Sequence, residues 1–417
     1  MPPFGFLLFL LALPFRIIYE LCIFYIKGSP YRKYSKQYLI SVQISFCQWL
    51  FDLPVTESRY FSLYNASMIS SFLGFKYSSI LGRYPGHGEP YDDNSFWLRK
   101  APNRKSTDPI LIYLHGGGYC FQLGPSQYKA VVTIVELLDA SKRENLSVLI
   151  FDYNLASSGF TFPSQLAQFH DTYQKLTVIG SNSNIILMGD SAGGNLALVY
   201  LQYLKDLQQK NSYSAQGVVY PSKLVLISPW VKIQPEPEDY RPGHSYYDND
   251  TMDLLRYEHF SDSQAIRRVF GTSDLDSLTV SPGRAPLNKL EWSGITSIND
   301  ENSDILVIVG EDEVFRDDVL DWCHVILDCP LQGSLYHNTN SALFIPAIHE
   351  YKSLPDKGTA GVEVFVEPWG VHDATFLFED DLLDKIDKLG LSSNVNAVDS
   401  DTYFGTYRIV QFLNRVL

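Results

Sequence analysis

The hexapeptide Gly189-Asp190-Ser191-Ala192-Gly193-Gly194 is the stretch of this 417-residue chain best suited to covalent chemistry. It follows an apolar run, Asn184-Ile185-Ile186-Leu187-Met188, and precedes an apolar helical pattern. A G-x-S-x-G turn between strand and helix must be sharp, so small residues flank the serine and its Oγ stands out at a helix N-terminus. Ser191 is therefore the expected nucleophile, with Gly189, Asp190 and Gly193 as its supporting turn. A second turn, His115-Gly116-Gly117-Gly118, follows the run Ile110 to Leu114. Glycines let backbone N–H groups come close to a substrate carbonyl, and acyl transfer needs such donors at the developing oxyanion. Gly116, Gly117 and Ala192 are expected to be those donors. Gly118 completes the turn, and His115 is expected to orient the backbone by hydrogen bonding.

A base and an acid should follow in the chain order Ser, Asp/Glu, His. His372 lies in Pro368-Trp369-Gly370-Val371-His372-Asp373, just after a C-terminal strand, a position from which a base can reach Ser191 Oγ. His259, His324, His337 and His349 have ordinary packing or surface explanations. The acid belongs to the charged turn Gly310-Glu311-Asp312-Glu313-Val314-Phe315-Arg316-Asp317-Asp318. Either Asp312 or Glu313 can accept the N–H of His372, and residue type alone does not choose between them. Other chemistries lack their residues. His349-Glu350 opens an HExxH-like string, but Ser353 stands where the second histidine is needed, and no phosphate-binding glycine motif or CxxC pair occurs. No metal and no cofactor is implied.

These residues require a scaffold of parallel strands with loops at their C-terminal ends. From Asp108 onward, short β-branched runs alternate with longer helical patterns, the signature of an α/β fold. Strands are expected at Ile110 to Leu114, Val148 to Tyr153, Asn184 to Met188, Lys223 to Ser228, Ile305 to Val309 and Val362 to Val366. Helices are expected at about Ser126 to Arg143, Pro163 to Ile179, Asn195 to Gln209 and Asp317 to Cys329. Residues 35–107 and 232–300 break the rhythm and read as insertions over the strand C-terminal ends, where open α/β sheets place ligands. The expected organisation is residues 1–36 as a membrane anchor with a basic flank, 37–107 as an N-terminal cap region, and 108–417 as a catalytic domain with a cap insertion near 232–300.

Phe4 to Ile26 is apolar and long enough to span a bilayer as a helix of roughly 20 residues, although it contains Pro14, Arg16 and Glu20. Arg16 and Glu20 are four apart and would share a helix face. An apolar run to Leu13 followed by an interfacial helix fits the same residues. Lys27, Arg32, Lys33 and Lys36 behind the apolar run favour a cytoplasmic C-terminal side, whereas sequons at Asn65, Asn145 and Asn249 favour a lumenal glycoprotein. With 33 Lys+Arg against 47 Asp+Glu, the net charge of −14 argues against a nucleic-acid partner. Hydrophobic residues at 45% supply a large core.

Taken together, the HGGG turn, the GDSAGG elbow, and Asp152-Tyr153-Asn154-Leu155-Ala156 with Pro163 between them resemble the hormone-sensitive-lipase-like branch of the α/β-hydrolases over roughly residues 105 to 380. That branch comprises cofactor-free carboxylesterases, lipases and deacetylases of lipophilic esters. The apolar N-terminus, Phe162-Pro163-Ser164-Gln165-Leu166 and the run Gly310 to Asp318 resemble more narrowly the fungal steryl acetyl hydrolases. This likeness implies a sterol deacetylase anchored in the endoplasmic reticulum membrane, acting on sterol acetates or similar lipophilic esters. In the wider branch the triad carboxylate stands three residues before an Arg-Asp pair, and Arg316-Asp317 then puts it at Glu313. Most members carry Asp there, so Asp312 remains a competitor. A general carboxylesterase or lipase acting on short-chain esters is the alternative within enzymes. A non-catalytic ligand-binding protein on the same fold is a rival of another class, but such relatives usually lose the serine or histidine.

Overall fold

The computed structural model describes residues 4–61, 64–210, 217–336, 341–389 and 394–417. The aliphatic runs form strands, and within each strand alternate side chains face opposite sides of one sheet. The strands are β1 (Pro90–Asp92), β2 (Ser95–Arg99), β3 (Ile110–Leu114), β4 (Ser147–Phe151), β5 (Ile185–Asp190), β6 (Lys223–Ile227), β7 (Asp304–Gly310), β8 (Glu350–Ser353) and β9 (Gly361–Glu367). Their order is β1-β2-β4-β3-β5-β6-β7-β9-β8. The block from β4 to β9 is parallel, and β1, β2 and β8 pair antiparallel at the edges.

Helices cover both faces. The main ones are α1 (Phe4–Lys27), α2 (Tyr38–Phe51), α3 (Pro125–Leu137), α4 (Ser164–Gln174), α5 (Ala192–Gln209), α6 (Arg316–Leu327) and α7 (Phe404–Val416). Ile110, Ile112, Leu187, Leu224 and Val307 share one core with residues of α4, α5 and α6. Leu111, Tyr113, Ile186, Val225 and Leu306 share the other with α3 and α7. Each fully buried strand side chain contributes about 1.5–3 kcal/mol of burial free energy, so the sheet is held from both sides. This is the α/β-hydrolase arrangement expected from the sequence.

Chain order matters more than strand count for the site. From β3 the chain moves outward to β4 and then crosses back over β3 to β5, so the order reverses between β3 and β5. Open α/β sheets bind ligands in the crevice at such a reversal. The HGGG turn and the serine elbow both emerge there.

The expected boundary at residue 108 lies inside the sheet, because β1 and β2 precede it. Both were hidden in the sequence, as β1 is short and half-exposed and β2 carries Arg99, whose Nη2 donates to the Glu144 carbonyl at 3.2 Å. The edge strand β8 is likewise half-exposed and polar, and its residues make no apolar run. The helix expected over Ser126 to Arg143 is two helices, α3 and Ala140–Asn145.

α1 runs unbroken through Pro14 and is apolar along its length, with Phe9 its buried residue. Among the described residues it is the one helix long and apolar enough to cross a membrane. It packs on α2, with Phe9 against Phe46 and Phe61. Arg16 is not ion-paired with Glu20 among the described residues; its guanidinium lies over Trp49 at 5.4 Å and Phe9 at 6.0 Å.

Candidate active site

Ser191 stands between β5 and α5 with φ of 49°, a strained value for a side-chain-bearing residue that turns its Oγ outward. The flanking glycines are needed for contact, as a Cβ on Gly193 would lie 1.9 Å from the Leu114 carbonyl oxygen and one on Gly189 2.5 Å from the Gly193 backbone. Ala192 opens α5, where a backbone N–H has no acceptor within the helix.

His372 follows β9, and its Nε2 is 2.9 Å from Ser191 Oγ. Its Nδ1 is 2.9 Å from Glu313 Oε1, with Glu313 in the loop after β7. All three side chains are buried, Glu313 completely. Glu313 Oε2 accepts from Ser228 Oγ at 2.8 Å and from Gly310 N at 2.9 Å, so its remaining lone pairs are satisfied. Asp312 points elsewhere. Its Oδ2 accepts from Arg32 Nε at 2.9 Å, and its Oδ1 is bonded to Arg32 Nη2. Of the two acids left open by residue type, the contact with His372 is made by Glu313.

Burial disfavours the imidazolium of His372, but the carboxylates of Asp373 and Glu313 outweigh it and hold the pKa well above the usual histidine value. Asp373 Oδ2 is 3.3 Å from His372 Nε2, a contact that competes for the same ring nitrogen.

The glycine turn departs from expectation in one respect. Gly116 N donates to Asp190 Oδ1 at 3.0 Å, which removes it from the expected oxyanion donors. Asp190 also accepts from Tyr113 OH at 2.6 Å and Gln127 Nε2 at 2.7 Å, and burial raises its pKa to about 7. It thus ties the elbow to the HGGG turn. Gly117 and Gly118 follow with φ of 109° and 58°, and among the described residues no acceptor is bonded to either N–H. Of the expected donors, Gly117 and Ala192 keep their N–H groups without a bonded acceptor among the described residues, and so does Gly118. His115 Nδ1 donates to the Gly116 carbonyl at 2.7 Å and its ring stacks on Tyr153 at 4.1 Å. Burial lowers its pKa to about 4, so it is neutral.

The other histidines lie apart from this line. His259 Nε2 bonds Asp52 at 3.2 Å, His349 accepts from Ile345 N, His324 is bonded to the Cys329 carbonyl, and His337 lies outside the described residues.

Three supporting residues had no functional signal in the sequence. Asp253 accepts from His372 N at 2.8 Å and Val314 N at 2.9 Å, clamping the histidine and acid loops. Asn249 donates to the carbonyls of Glu311 and Glu313 at 3.1 and 2.8 Å. It is 2% exposed, so this sequon is closed to a glycan in the folded chain. Ser228, at the end of β6, donates to Glu313 and accepts from Asp373 N at 3.2 Å. Only its place at the end of an expected strand could have drawn attention to it.

A cleft of about 520 Å³ is lined by Gly118, Phe121, Trp230, Phe260, Ile266 and Val269, with Asp52, Glu258, Asp262 and Arg268 also on its wall. Phe51 and Val55 form the facing wall. Trp230 N donates to the Ser191 carbonyl at 3.0 Å, which ties this lining residue to the backbone of the serine elbow.

A family model described as steryl acetyl hydrolase matches residues 76–347. A protein of Schizosaccharomyces pombe named as a steryl acetyl hydrolase, mug81, is 31% identical over 57% of this chain and 61% of its own length. Steryl acetyl hydrolase 1 of Saccharomyces cerevisiae is 28% identical over 30% of this chain and 27% of its own length. The matched stretch therefore spans less than two thirds of either relative. A crystal structure of an esterase from the bacterial hormone-sensitive lipase family aligns with a TM-score of 0.48 at 18% identity, covering 88% of this chain and 97% of that one. With the family model spanning well over half of its residues, this chain belongs to the steryl acetyl hydrolase family.

Proposed function

We propose that the chain is a serine ester hydrolase that deacetylates sterol acetates or similarly lipophilic esters. The observation that carries this reading is the unbroken line of hydrogen bonds from Ser191 through His372 to Glu313. In the proposed cycle, His372 Nε2 takes the proton of Ser191 Oγ as the oxygen attacks the ester carbonyl. Glu313 holds the ring and stabilises its charge. The N–H groups of Gly117, Gly118 and Ala192 stabilise the oxyanion, each at about 10²- to 10³-fold in rate. His372 gives the proton to the leaving alcohol and then activates the water that clears the acetyl group from Ser191.

Membership of the family and the apolar cleft together favour a sterol as the alcohol. Its volume falls within the usual range of small-molecule sites, about 300–1,000 Å³. Its wall is α2, which packs on α1, so a substrate dissolved in a bilayer has a short way in. The rim supports a second reading. Asp52 and Glu258 are exposed there, and they favour a general carboxylesterase acting on less lipophilic short-chain esters. Wild-type protein in detergent micelles, given a steryl acetate and a small aryl acetate, separates the two. The expected result is a kcat/KM at least about tenfold higher for the steryl ester; fast aryl turnover with no steryl turnover selects the carboxylesterase.

We extend the proposal to location: α1 holds the chain in the endoplasmic reticulum membrane with the catalytic domain on the lumenal side. Asn65 and Asn145 are exposed and available as acceptors, whereas Asn249 is buried. Endoglycosidase treatment is expected to increase gel mobility through Asn65 and Asn145, with each contribution lost in Asn65→Gln and Asn145→Gln. No shift at all puts the domain on the cytoplasmic side, as the basic flank of α1 favours.

A further inference from the structure

Arg32 and Lys33 belong by sequence to the basic flank of α1. In the fold Arg32 reaches the two loops that carry Glu313 and His372, and Lys33 reaches the last residue of β9, from which the histidine loop departs. Besides its bonds to Asp312, Arg32 Nη2 lies 3.5 Å from Glu311 Oε1, and the guanidinium lies over the Trp369 ring at 5.1 Å. Lys33 Nζ is paired with Glu367 Oε1. The loops that receive these cations are also fastened to each other. Glu311 N donates to the Glu367 carbonyl at 2.9 Å, Asp312 N to the Gly370 carbonyl at 2.8 Å, and Trp369 N to Glu311 Oε2 at 3.0 Å.

The charges explain why cations are needed. Glu311 and Asp312 are fully buried and Glu367 is 3% exposed. Three carboxylates withdrawn from water at one junction repel one another unless they are paired. Neighbouring basic groups are engaged differently. Arg316 donates to the Glu311 carbonyl and to Asp317, Arg408 donates to the carbonyls of Ser400 and Phe404, and His349 Nε2 is 3.8 Å from Glu311 Oε2. Asp312 is next to Glu313, and Gly370 is two residues before His372. Drawing Asp312 to Arg32 leaves Glu313 as the carboxylate on the histidine side of the loop.

We propose that Arg32 and Lys33 are positioning residues that lock the acid loop and the histidine loop in register, making the segment behind the membrane helix part of the catalytic assembly. This inference rests on the hydrolase reading above. A tether that merely held the enzyme near a membrane would need no such contacts.

The test uses the full chain in detergent micelles with four variants: Arg32→Gln, Arg32→Lys, Lys33→Met and the double variant Arg32→Gln/Asp312→Asn. The readouts are kcat, KM and the rate of Ser191 labelling by a fluorophosphonate, which does not depend on the natural substrate. Arg32→Gln and Lys33→Met are expected to lower kcat and labelling about 10- to 100-fold with KM within about twofold, the size of effect expected from a small misplacement of reacting groups. Arg32→Lys is expected to keep more activity than Arg32→Gln. The double variant, which removes one of the two carboxylates that Arg32 faces, is expected to recover part of the loss. Wild-type kcat and labelling in Arg32→Gln overturn the inference, as does a loss that Asp312→Asn does not relieve, which would mean a role in folding or insertion. If the wild type itself is not labelled at Ser191, the hydrolase reading fails and the inference with it. Serine-dependent labelling that is insensitive to Arg32 and Lys33 sinks the inference alone.

Discussion

Ser191→Ala is expected to lower the hydrolysis of an acetate ester by about 10⁶-fold, the size of loss found when the nucleophile of a coupled triad is removed. The serine forms and then releases the acetyl-enzyme in the proposed cycle, and its Oγ is the atom that His372 Nε2 faces at 2.9 Å. Alanine keeps the Cβ and the backbone conformation, and the cleft wall at Trp230 is untouched. Fold and ligand binding should therefore survive, and residual rate above water, from the oxyanion donors and binding, is expected. The measurement is kcat/KM for the same steryl acetate in wild type and variant, with circular dichroism to show that both are folded. Turnover unchanged by the substitution sinks the mechanism. Binding of the ester by both proteins with turnover by neither brings forward a non-catalytic ligand-binding protein.

Glu313→Gln is expected to cost about 10³- to 10⁴-fold in kcat, because an amide beside Nδ1 no longer fixes the ring tautomer or stabilises the imidazolium. Asp312→Asn is expected to cost less than about tenfold, since Asp312 faces Arg32 and not the histidine. The opposite ranking would assign the acid to Asp312. The pH profile adds an independent check. His372 must be neutral to act as base, so kcat/KM rises with pH through its pKa, which Asp373 and Glu313 hold above the usual histidine value. Glu313→Gln removes one of those carboxylates, so the imidazolium is less favoured and the acidic limb of the residual activity moves to lower pH. Asp373 keeps part of the elevation, so the limb should not fall as far as that of a histidine buried without a carboxylate.

The residues legible from sequence are those whose roles follow from local sterics. A serine between glycines, placed between an apolar run and a helical pattern, reads as a sharp strand-to-helix turn, and the glycines at 189 and 193 are required by contacts of 2.5 and 1.9 Å that any Cβ would make. The same local logic placed the HGGG turn after β3 and His372 after β9, because short continuous apolar runs announce strands buried on both faces. The edge strands β1 and β8 escaped because each is short and half-exposed and lacks that pattern.

Partners distant in the chain had to wait for the tertiary structure. Asp312 and Glu313 are neighbours of the same charge, and what separates them is an arginine 280 positions away on one side and a histidine 59 positions away on the other. Gly116 reads as a free donor until Asp190, 74 residues on, takes its N–H. Asn249 reads as a sequon until the loop after β7 accepts its side chain, and Arg32 and Lys33 read as flanking charges until they pair with Asp312, Glu311 and Glu367. Sequence alone determined which residues sit at the ends of which strands, because backbone sterics and side-chain periodicity act over a few residues. Which neighbour each polar group finds was decided only by the closed fold, because burial of a carboxylate or an N–H is a property of everything packed around it.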